Sequence, residues 1–255
     1  MMAVIYIMWL RQIKRYWRSK SRIIGSICQP LLFLVALGFG LGPMFEKAGG
    51  GNYINFLTPG VISQAILFMA VFSGIELIWD RQFGFLKATL VAPISRLEIV
   101  LGRVLGGATI AVFQGLIVFL LTLLVGFKPQ SLRILPLAVC LMFLTALLYS
   151  ALGTAIASLM KDFHGFQLIM NFLVMLTFFL SGAIFQLNNV PRLIQIISYL
   201  NPLTYGVDGL RQVLTGVAHF GLVTDILVLS TVGTILLSIG SYLFSKTVVH
   251  FFTLL

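Results

Sequence analysis

Residues 134–160 read I-L-P-L-A-V-C-L-M-F-L-T-A-L-L-Y-S-A-L-G-T-A-I-A-S-L-M, a run of 27 without one charged side chain. About 20 apolar residues are enough to cross the hydrocarbon core of a bilayer as an α-helix. The pattern recurs along the 255-residue chain in uncharged runs at 23–45, 48–75, 104–127, 163–191 and 226–245. Six such runs predict an all-α polytopic membrane protein that forms a single domain over residues 1–255.

The overall composition agrees with this prediction. Hydrophobic residues make up 59% of the chain and charged residues 9%, whereas soluble domains carry about 25% charged residues. A soluble enzyme, a disordered chain and a disulfide-rich secreted domain are therefore excluded. Cys28 and Cys140 lie in apolar runs, which predicts small buried hydrophobic side chains. No cleavable signal peptide is expected, because the first basic cluster follows the apolar N-terminus instead of preceding it.

The basic residues predict the orientation. With both termini cytoplasmic, 12 of the 17 Lys and Arg residues fall on the inner side, as basic residues near span ends favour. The net charge of +10 then indicates anionic lipid headgroups, and no nucleic acid is needed to explain it. The six transmembrane helices predicted in this N-in/C-in arrangement cover about 23–42, 56–78, 99–125, 135–159, 166–186 and 223–245.

Residues 1–22 are predicted to form an amphipathic interfacial helix. Its basic residues recur at i, i+3, i+4 and i+7, which places them on one stripe, and its Trp residues favour headgroup depth. Two interpretations stay open, a topogenic anchor and a helix that packs beside a cytoplasmic partner. The predicted membrane-surface residues are Trp9, Arg11, Lys14, Arg15, Trp17 and Arg18.

Residues 188–221 predict an outer pair of helices between spans five and six. Asn residues precede Pro191 and Pro202, and Asn followed by Pro is typical of a helix start. The second helix carries Asp208 and Arg211, whose insertion would cost about 5–7 kcal/mol, so the pair is predicted to be re-entrant or interfacial. Asp208 and Arg211 are expected to pair locally, either to help close an outer exit or only to stabilise the helix. The predicted outer-gate residues are Asn201, Pro202, Tyr205, Asp208 and Arg211.

Several kinds of chemistry are missing from the sequence. Transporters driven by ion gradients place ionisable residues within their spans, and the six predicted interiors hold almost none. The three His residues are scattered, and no metal-ligand or catalytic set accompanies them. Gly240–Thr247 is similar to a P-loop, but Ser245 stands where the second Gly belongs. The chain is therefore predicted to be no enzyme and to bind no cofactor, and any transport would be powered by a partner.

The loop at 79–98 has a pattern that could receive a force from such a partner. A helical pattern covers 81–91, and Pro93 ends it. Ser95 and Glu98 then form a capping-box sequence at the start of the next span. The alternative is a linker helix that lies on the membrane.

Two motifs resemble those of bacterial ABC-2-type export permeases, most closely the daunorubicin-resistance and nodulation-factor export branch. The first is F-G-F-L-K at 83–87 with L-V-A-P-I-S-R at 90–96 and L-G-R at 101–103. The second is N-P-L-T-Y-G-V-D-G-L-R at 201–211. One departure is Ala88, where members of the branch often carry Glu.

The resemblance implies the permease subunit of an ATP-driven exporter for an amphipathic or lipid-like cargo, such as a drug, a lipid or a lipid-linked glycan. It further implies a multi-pass location in a bacterial or archaeal plasma membrane. A second permease copy or a sister permease would complete the channel, and two separate ATPase subunits would use ATP and Mg. The predicted coupling residues are Arg81, Phe83, Gly84, Phe85, Leu86, Lys87, Leu90, Val91, Pro93 and Arg96. The alternatives are a membrane scaffold or assembly subunit that transports nothing and, less favoured because charged rings are missing at mid-span, a channel.

Overall fold

The computed structural model describes residues 2–47, 51–85, 94–160 and 162–252, and every regular element within these ranges is a helix. The all-α prediction is therefore confirmed for this part of the chain. Its ten α-helices are α1 (Met2–Arg18), α2 (Lys20–Lys47), α3 (Tyr53–Phe72), α4 (Ile75–Gln82), α5 (Arg96–Leu124), α6 (Leu135–Leu159), α7 (Phe163–Phe179), α8 (Arg192–Leu200), α9 (Pro202–Thr215) and α10 (Leu222–Phe252). Short 3-10 turns lie at Leu132–Ile134 and Leu187–Asn189.

Within the described ranges, five segments are long and apolar enough to cross a membrane: α2, the α3–α4 unit, α5, α6 and α10. The chain is thus an integral membrane protein. The predicted fifth span, 166–186, is shorter than expected, because α7 has only 17 residues and is about 25 Å long. It ends before Gly182, whose φ of +68° is a backbone conformation that favours glycine. The count of six spans stays a prediction.

The α3–α4 unit lies at the centre of the bundle and packs against α2, α5, α6 and α9. Its two helices meet at a turn over Ser73–Gly74. A Cβ added at Gly74 would lie 2.3 Å from the carbonyl oxygen of Gly153, and one added at Gly153 would lie 2.3 Å from that of Val71. The backbones of the α3–α4 unit and α6 therefore touch, as small residues permit in membrane proteins.

Helix α1 packs along the first half of α5. A Cβ at Gly102 would lie 2.6 Å from Cβ of Met8, and one at Gly106 would lie 2.6 Å from Cβ of Gln12. These glycines are four residues apart, so both face α1. The predicted N-terminal helix is confirmed as a helix, and one of its sides is covered by protein.

The two helices predicted between spans five and six are confirmed as α8 and α9. Asn201 caps α9, since its side chain accepts a hydrogen bond from the N–H of Leu203 at 3.0 Å. The corresponding prediction for α8 is wrong, because Pro191 occupies the cap position and makes no side-chain hydrogen bond there. Helix α9 packs against α3, α6 and α10, whereas α8 is mostly exposed. Their depth relative to a membrane stays a prediction.

The two cysteines correct a further prediction. Cys28 and Cys140 are exposed, because they lie on sides of α2 and α6 that no other part of the described chain covers. Apolar side chains on such sides are expected in a protein surrounded by lipid, where burial in protein is not required.

Candidate functional site: the charged end of the bundle

Three helices meet at the carboxylate of Asp80, near the end of α4. Arg11 of α1 donates from Nη1 to Oδ2 of Asp80 at 2.8 Å and from Nη2 to Oδ1. Arg103 of α5 donates to Oδ2 as well, and Arg15 lies 3.4 Å from Oδ1. The side chain of Asp80 is only 4% exposed. Because a buried charge is tolerated when it is paired and hydrogen-bonded, this carboxylate fixes α1, α4 and α5 to one another.

A second acid lies one helical turn before Asp80. Glu76 is buried, and its Oε2 lies 4.0 Å from Nη1 of Arg15. Residues four apart lie on the same side of a helix, so Glu76 and Asp80 face the same arginines. We call the group of Arg11, Arg15, Glu76, Asp80, Arg81 and Arg103 the arginine cluster, and the end of the bundle that contains it the charged end.

Helix α4 is also attached to α6 and α7. Arg81 donates to the carbonyl oxygens of Met160 at 2.8 Å and Ser158 at 3.1 Å, which are among the unpaired carbonyls at the end of α6. The ring of Trp79 stacks on Phe163 of α7 with 5.9 Å between ring centroids. Helix α4 is therefore held from three directions.

Two aromatic side chains project from this support. Phe83 is 82% exposed, and Phe85 is partly exposed beneath the Arg11 guanidinium, which lies 3.6 Å from the ring centroid. Gly84 separates them with a φ of +75°. The predicted helical pattern over 81–91 is interrupted at this turn, because a glycine in the left-handed region follows the end of α4. The rest of that pattern, 86–91, lies outside the described residues.

The predicted coupling residues divide into two groups. Arg81, Phe83, Gly84 and Phe85 lie together at the charged end, and Arg96 joins α5 to α10 by donating to the carbonyl oxygen of Ser245 at 2.8 Å. The predicted capping box is present, with the N–H of Ser95 donating to Oε2 of Glu98 at 3.3 Å. The remaining coupling residues lie outside the described part of the chain, namely Leu86, Lys87, Leu90, Val91 and Pro93.

The predicted membrane-surface residues also fall into two sets. Arg11 and Arg15 contact Asp80, and Trp9 donates from Nε1 to Oγ1 of Thr109 at 3.0 Å. These three side chains are thus engaged within the protein. The other three are exposed on α1: Lys14, Trp17 and Arg18.

The opposite end contains the predicted outer-gate residues and is here called the α8–α9 end. The predicted pair between Asp208 and Arg211 is wrong. Asp208 accepts from the backbone N–H groups of His219 at 2.9 Å and Phe220 at 2.8 Å, whereas Arg211 donates to the carbonyl oxygen of Gly182 at 3.0 Å. Asp208 and Arg211 therefore each bind backbone groups that are distant in sequence, and they do not pair with each other.

The α8–α9 end also fixes the charge of Arg211 and the positions of the other predicted outer-gate residues. Burial lowers the pKa of Arg211 to about 10, with Asp208 acting in the opposite direction, so the side chain stays charged at neutral pH. Asn201 donates from Nδ2 to the carbonyl oxygen of Thr177 at 2.6 Å, and Pro202 begins α9. The hydroxyl of Tyr205 donates to the carbonyl oxygen of Tyr199 at 2.9 Å.

Sequence reasoning missed the importance of two acids. Asp80 carried a detectable signal, because the chain has only seven acidic residues and two of them, Glu76 and Asp80, are one helical turn apart near many arginines. Asp225 is fully buried, and neither of its carboxyl oxygens has a hydrogen-bond partner in the described structure. Its position at the start of α10 gave no such signal. Among the described residues, no group of three His, Cys, Asp or Glu side chains could hold a metal ion.

Comparison with known proteins gives consistent results. The family model described as ABC-2 type transporter matches residues 3–215. Nodulation protein J of Rhizobium leguminosarum bv. trifolii is 28% identical over 83% of this chain and 78% of its own length. The putative transport permease ycf38 of Porphyra purpurea is 32% identical over 77% of this chain and 69% of its own. The inner membrane transport permease YadH of Escherichia coli K12 is 26% identical over 85% and 84%.

Proposed function

The chain belongs to the ABC-2 type transporter family, and from that premise we propose that it is the permease subunit of an ATP-driven exporter. Its cargo is an amphipathic or lipid-like molecule (a drug, a lipid or a lipid-linked glycan) that moves outward. Two similar proteins are named as transport permeases, which supports transport over a scaffold. Separate ATPase subunits use ATP and Mg, because the sequence offers no nucleotide site of its own.

The charged end faces the cytoplasm in this proposal. Basic residues near the ends of membrane spans favour that side, and Arg11, Arg15, Arg81 and Arg103 all lie here. The membrane is the plasma membrane of a bacterium or archaeon. A second copy of the permease, or a sister permease, completes the pathway, and the α8–α9 end closes its exit.

The observation that carries the proposal is an exposed aromatic side chain, that of Phe83, next to a helix that several other helices hold in place. Phe83 is 82% exposed, and it follows directly on α4, which the arginine cluster, the end of α6 and Phe163 hold in place. A well-supported aromatic side chain is typical of the residues that dominate protein interfaces. Movement of a partner that contacts Phe83 would pass through α4 to α1, α5 and α6, since these helices share its contacts.

The experiment is affinity purification of the tagged chain from its native membrane, with detection of co-purified ATPase and measurement of ATP hydrolysis. Phe83→Asp is expected to lower the amount of co-purified ATPase about tenfold, as loss of an aromatic anchor implies. Phe83→Tyr keeps the ring and is the matched control, with near-parental recovery expected. Both variants should elute from a size-exclusion column at the same volume as the parent, because no described contact of the core involves Phe83.

Two results would contradict the proposal. The first is a set of co-purified partners that binds no nucleotide, which would favour the scaffold. The second is accumulation of solute by the chain alone in liposomes under a pH or sodium gradient, which would show that no ATPase is needed.

A further inference from the structure

The arginine cluster contains more positive than negative charge. It contains four guanidinium groups and two carboxylates, those of Glu76 and Asp80, which gives these six side chains a formal net charge of +2. The carboxylates are contacted by three of the guanidinium groups, those of Arg11, Arg15 and Arg103. Arg81 donates hydrogen bonds to carbonyl groups at the end of α6. These carbonyl groups are neutral, so they offset the surplus positive charge only in part. A half-buried surplus charge is unfavourable without a counter-ion. The cluster is therefore incomplete as it stands.

One donor in the cluster has no partner. The side chain of Arg103 is only 4% exposed, and its Nε–H has no hydrogen-bond partner in the described structure. Buried donors are nearly always satisfied, so this unpaired N–H is a second and independent indication that an acceptor belongs here. Arg11 and Arg15 are 28% and 33% exposed, which leaves the α1 side of the cluster accessible.

The geometry points to phosphate as the missing anion. Guanidinium groups form planar, bidentate hydrogen bonds that match phosphate oxygens. The exposed surface beside the cluster has apolar as well as cationic side chains. Ile7, one turn before Arg11 on α1, is exposed, and so are Lys14 and Arg18 on the same side of that helix. A phosphate group attached to an apolar chain fits such a surface better than a free anion does.

We propose that the arginine cluster, with Arg11, Arg15 and Arg103 as donors, binds the phosphate group of a membrane amphiphile whose apolar part lies along α1. The site goes beyond the proposed transport function, because it requires neither an ATPase nor movement of a cargo. A headgroup bound there would neutralise the surplus charge and join α1 more firmly to α4 and α5.

The test uses the purified full-length chain in detergent micelles and measures the midpoint of thermal unfolding. Dioctanoyl phosphatidic acid is expected to raise the midpoint by several degrees, whereas dioctanoylglycerol, which has the same chains and no phosphate, should raise it little. Inorganic phosphate at equal concentration should also have little effect. Dioctanoylglycerol lacks the phosphate group, and inorganic phosphate lacks the acyl chains. A rise in the midpoint with either compound that equals the rise with phosphatidic acid would overturn the proposal.

Two cations close together in the sequence, Arg15 and Lys20, provide matched variants. Arg15→Gln removes a donor that lies 3.4 Å from Asp80. The carboxylate of Asp80 stays paired with Arg11 and Arg103 in this variant. The substitution should weaken the apparent affinity for phosphatidic acid about tenfold, as expected for one charge-assisted hydrogen bond. Lys20→Gln removes the same charge from an exposed position at the start of α2, outside the cluster, and should leave the affinity unchanged. Equal weakening by the two variants would indicate general attraction to micelle charge and overturn the site.

If Arg15→Gln does not yield folded protein, Arg15→Lys is the test. It keeps the charge and loses the planar fork, so its affinity should fall measurably below that of the parent while Lys20→Gln stays at the parental value. Parental affinity in Arg15→Lys, or a fall of the same size in Lys20→Gln, would contradict the assigned geometry.

Discussion

Two buried carboxylates at opposite ends of the bundle have contrasting surroundings. Asp80 at the charged end is approached by three guanidinium groups from two other helices. Asp225 at the α8–α9 end is buried at least as completely, yet its oxygens have no hydrogen-bond partner in the part of the chain that the structure describes. Gly209 lies beside its Oδ2, and the nearby charge of Asp208 has the same sign.

The difference shows that the two ends are stabilised by different interactions. At the charged end, one ionised side chain connects α1, α4 and α5, so that the three helices depend on a single residue. At the α8–α9 end, contacts to backbone groups dominate, such as those from Asp208 to His219 and from Arg211 to Gly182. A change of charge should therefore affect the two ends very unequally.

The largest expected effect is that of Asp80→Asn. It leaves the buried cation Arg103 without the charged partner to which it is hydrogen-bonded, so the free energy of unfolding should fall by about 3–5 kcal/mol. Unfolding by SDS titration, followed by tryptophan fluorescence, measures it. The three tryptophans of the chain are Trp9, Trp17 and Trp79, and all belong to α1 or α4, so the signal reports on the charged end.

Asp162→Asn is the matched control for this prediction. Asp162 is an exposed acid that caps α7 through the N–H of Gly165 at 2.6 Å, and Asn is an equally good cap. Its effect should stay within about 0.5 kcal/mol. A loss as small as this in Asp80→Asn would show that the ion pairs around Asp80 add no net stability.

A smaller loss in the free energy of unfolding is expected when a methyl group is added at helix contacts at the same two ends. Gly102→Ala puts a methyl group 2.6 Å from Cβ of Met8 and 2.9 Å from the carbonyl oxygen of Ile5, so α1 must move, at a cost of about 1–3 kcal/mol. Gly209→Ala meets only side-chain ends at 3.2–3.3 Å on Leu141 and Asp225, and should cost less than about 1 kcal/mol. SDS titration measures both.

The fluorescence of the tryptophans separates the two variants further. Movement of α1 in Gly102→Ala should break the hydrogen bond from Trp9 to Thr109 and shift the emission of the folded protein. Gly209→Ala should leave that emission unchanged. The same emission in both variants would mean that α1 tolerates the added methyl group without moving.

The sequence was sufficient wherever the signal was local. Uncharged runs located α2, the α3–α4 unit, α5, α6 and α10, because the hydrocarbon requirement acts on each segment separately. The Ser95–Glu98 capping box and the Asn201 cap were predictable for the same reason, since donor and acceptor lie within three residues.

Contacts between distant residues could not be predicted in this way. The periodicity of α1 showed that Arg11 and Arg15 share a side with Lys14 and Arg18, but a period identifies a side of a helix and no partner for it. Asp80 is 69 residues from Arg11, and nothing local relates them. The mistaken pair of Asp208 and Arg211 has the same origin, because backbone groups brought in by the fold competed with the local partner.

The smallest effect, and the sharpest test of the comparison, is that of Asp225→Asn. A carboxylate without donors is unfavourable in a buried position, and Asn has the same shape without a charge that would repel Asp208. The free energy of unfolding should therefore stay within about 0.5 kcal/mol of the parent or rise slightly. Asp208→Asn, its neighbour, should instead lose about 1–2 kcal/mol, because one oxygen must replace two that accept backbone N–H groups. If Asp225→Asn lost as much as Asp80→Asn, burial alone would explain both residues, and the arginines around Asp80 would not be the reason for its importance.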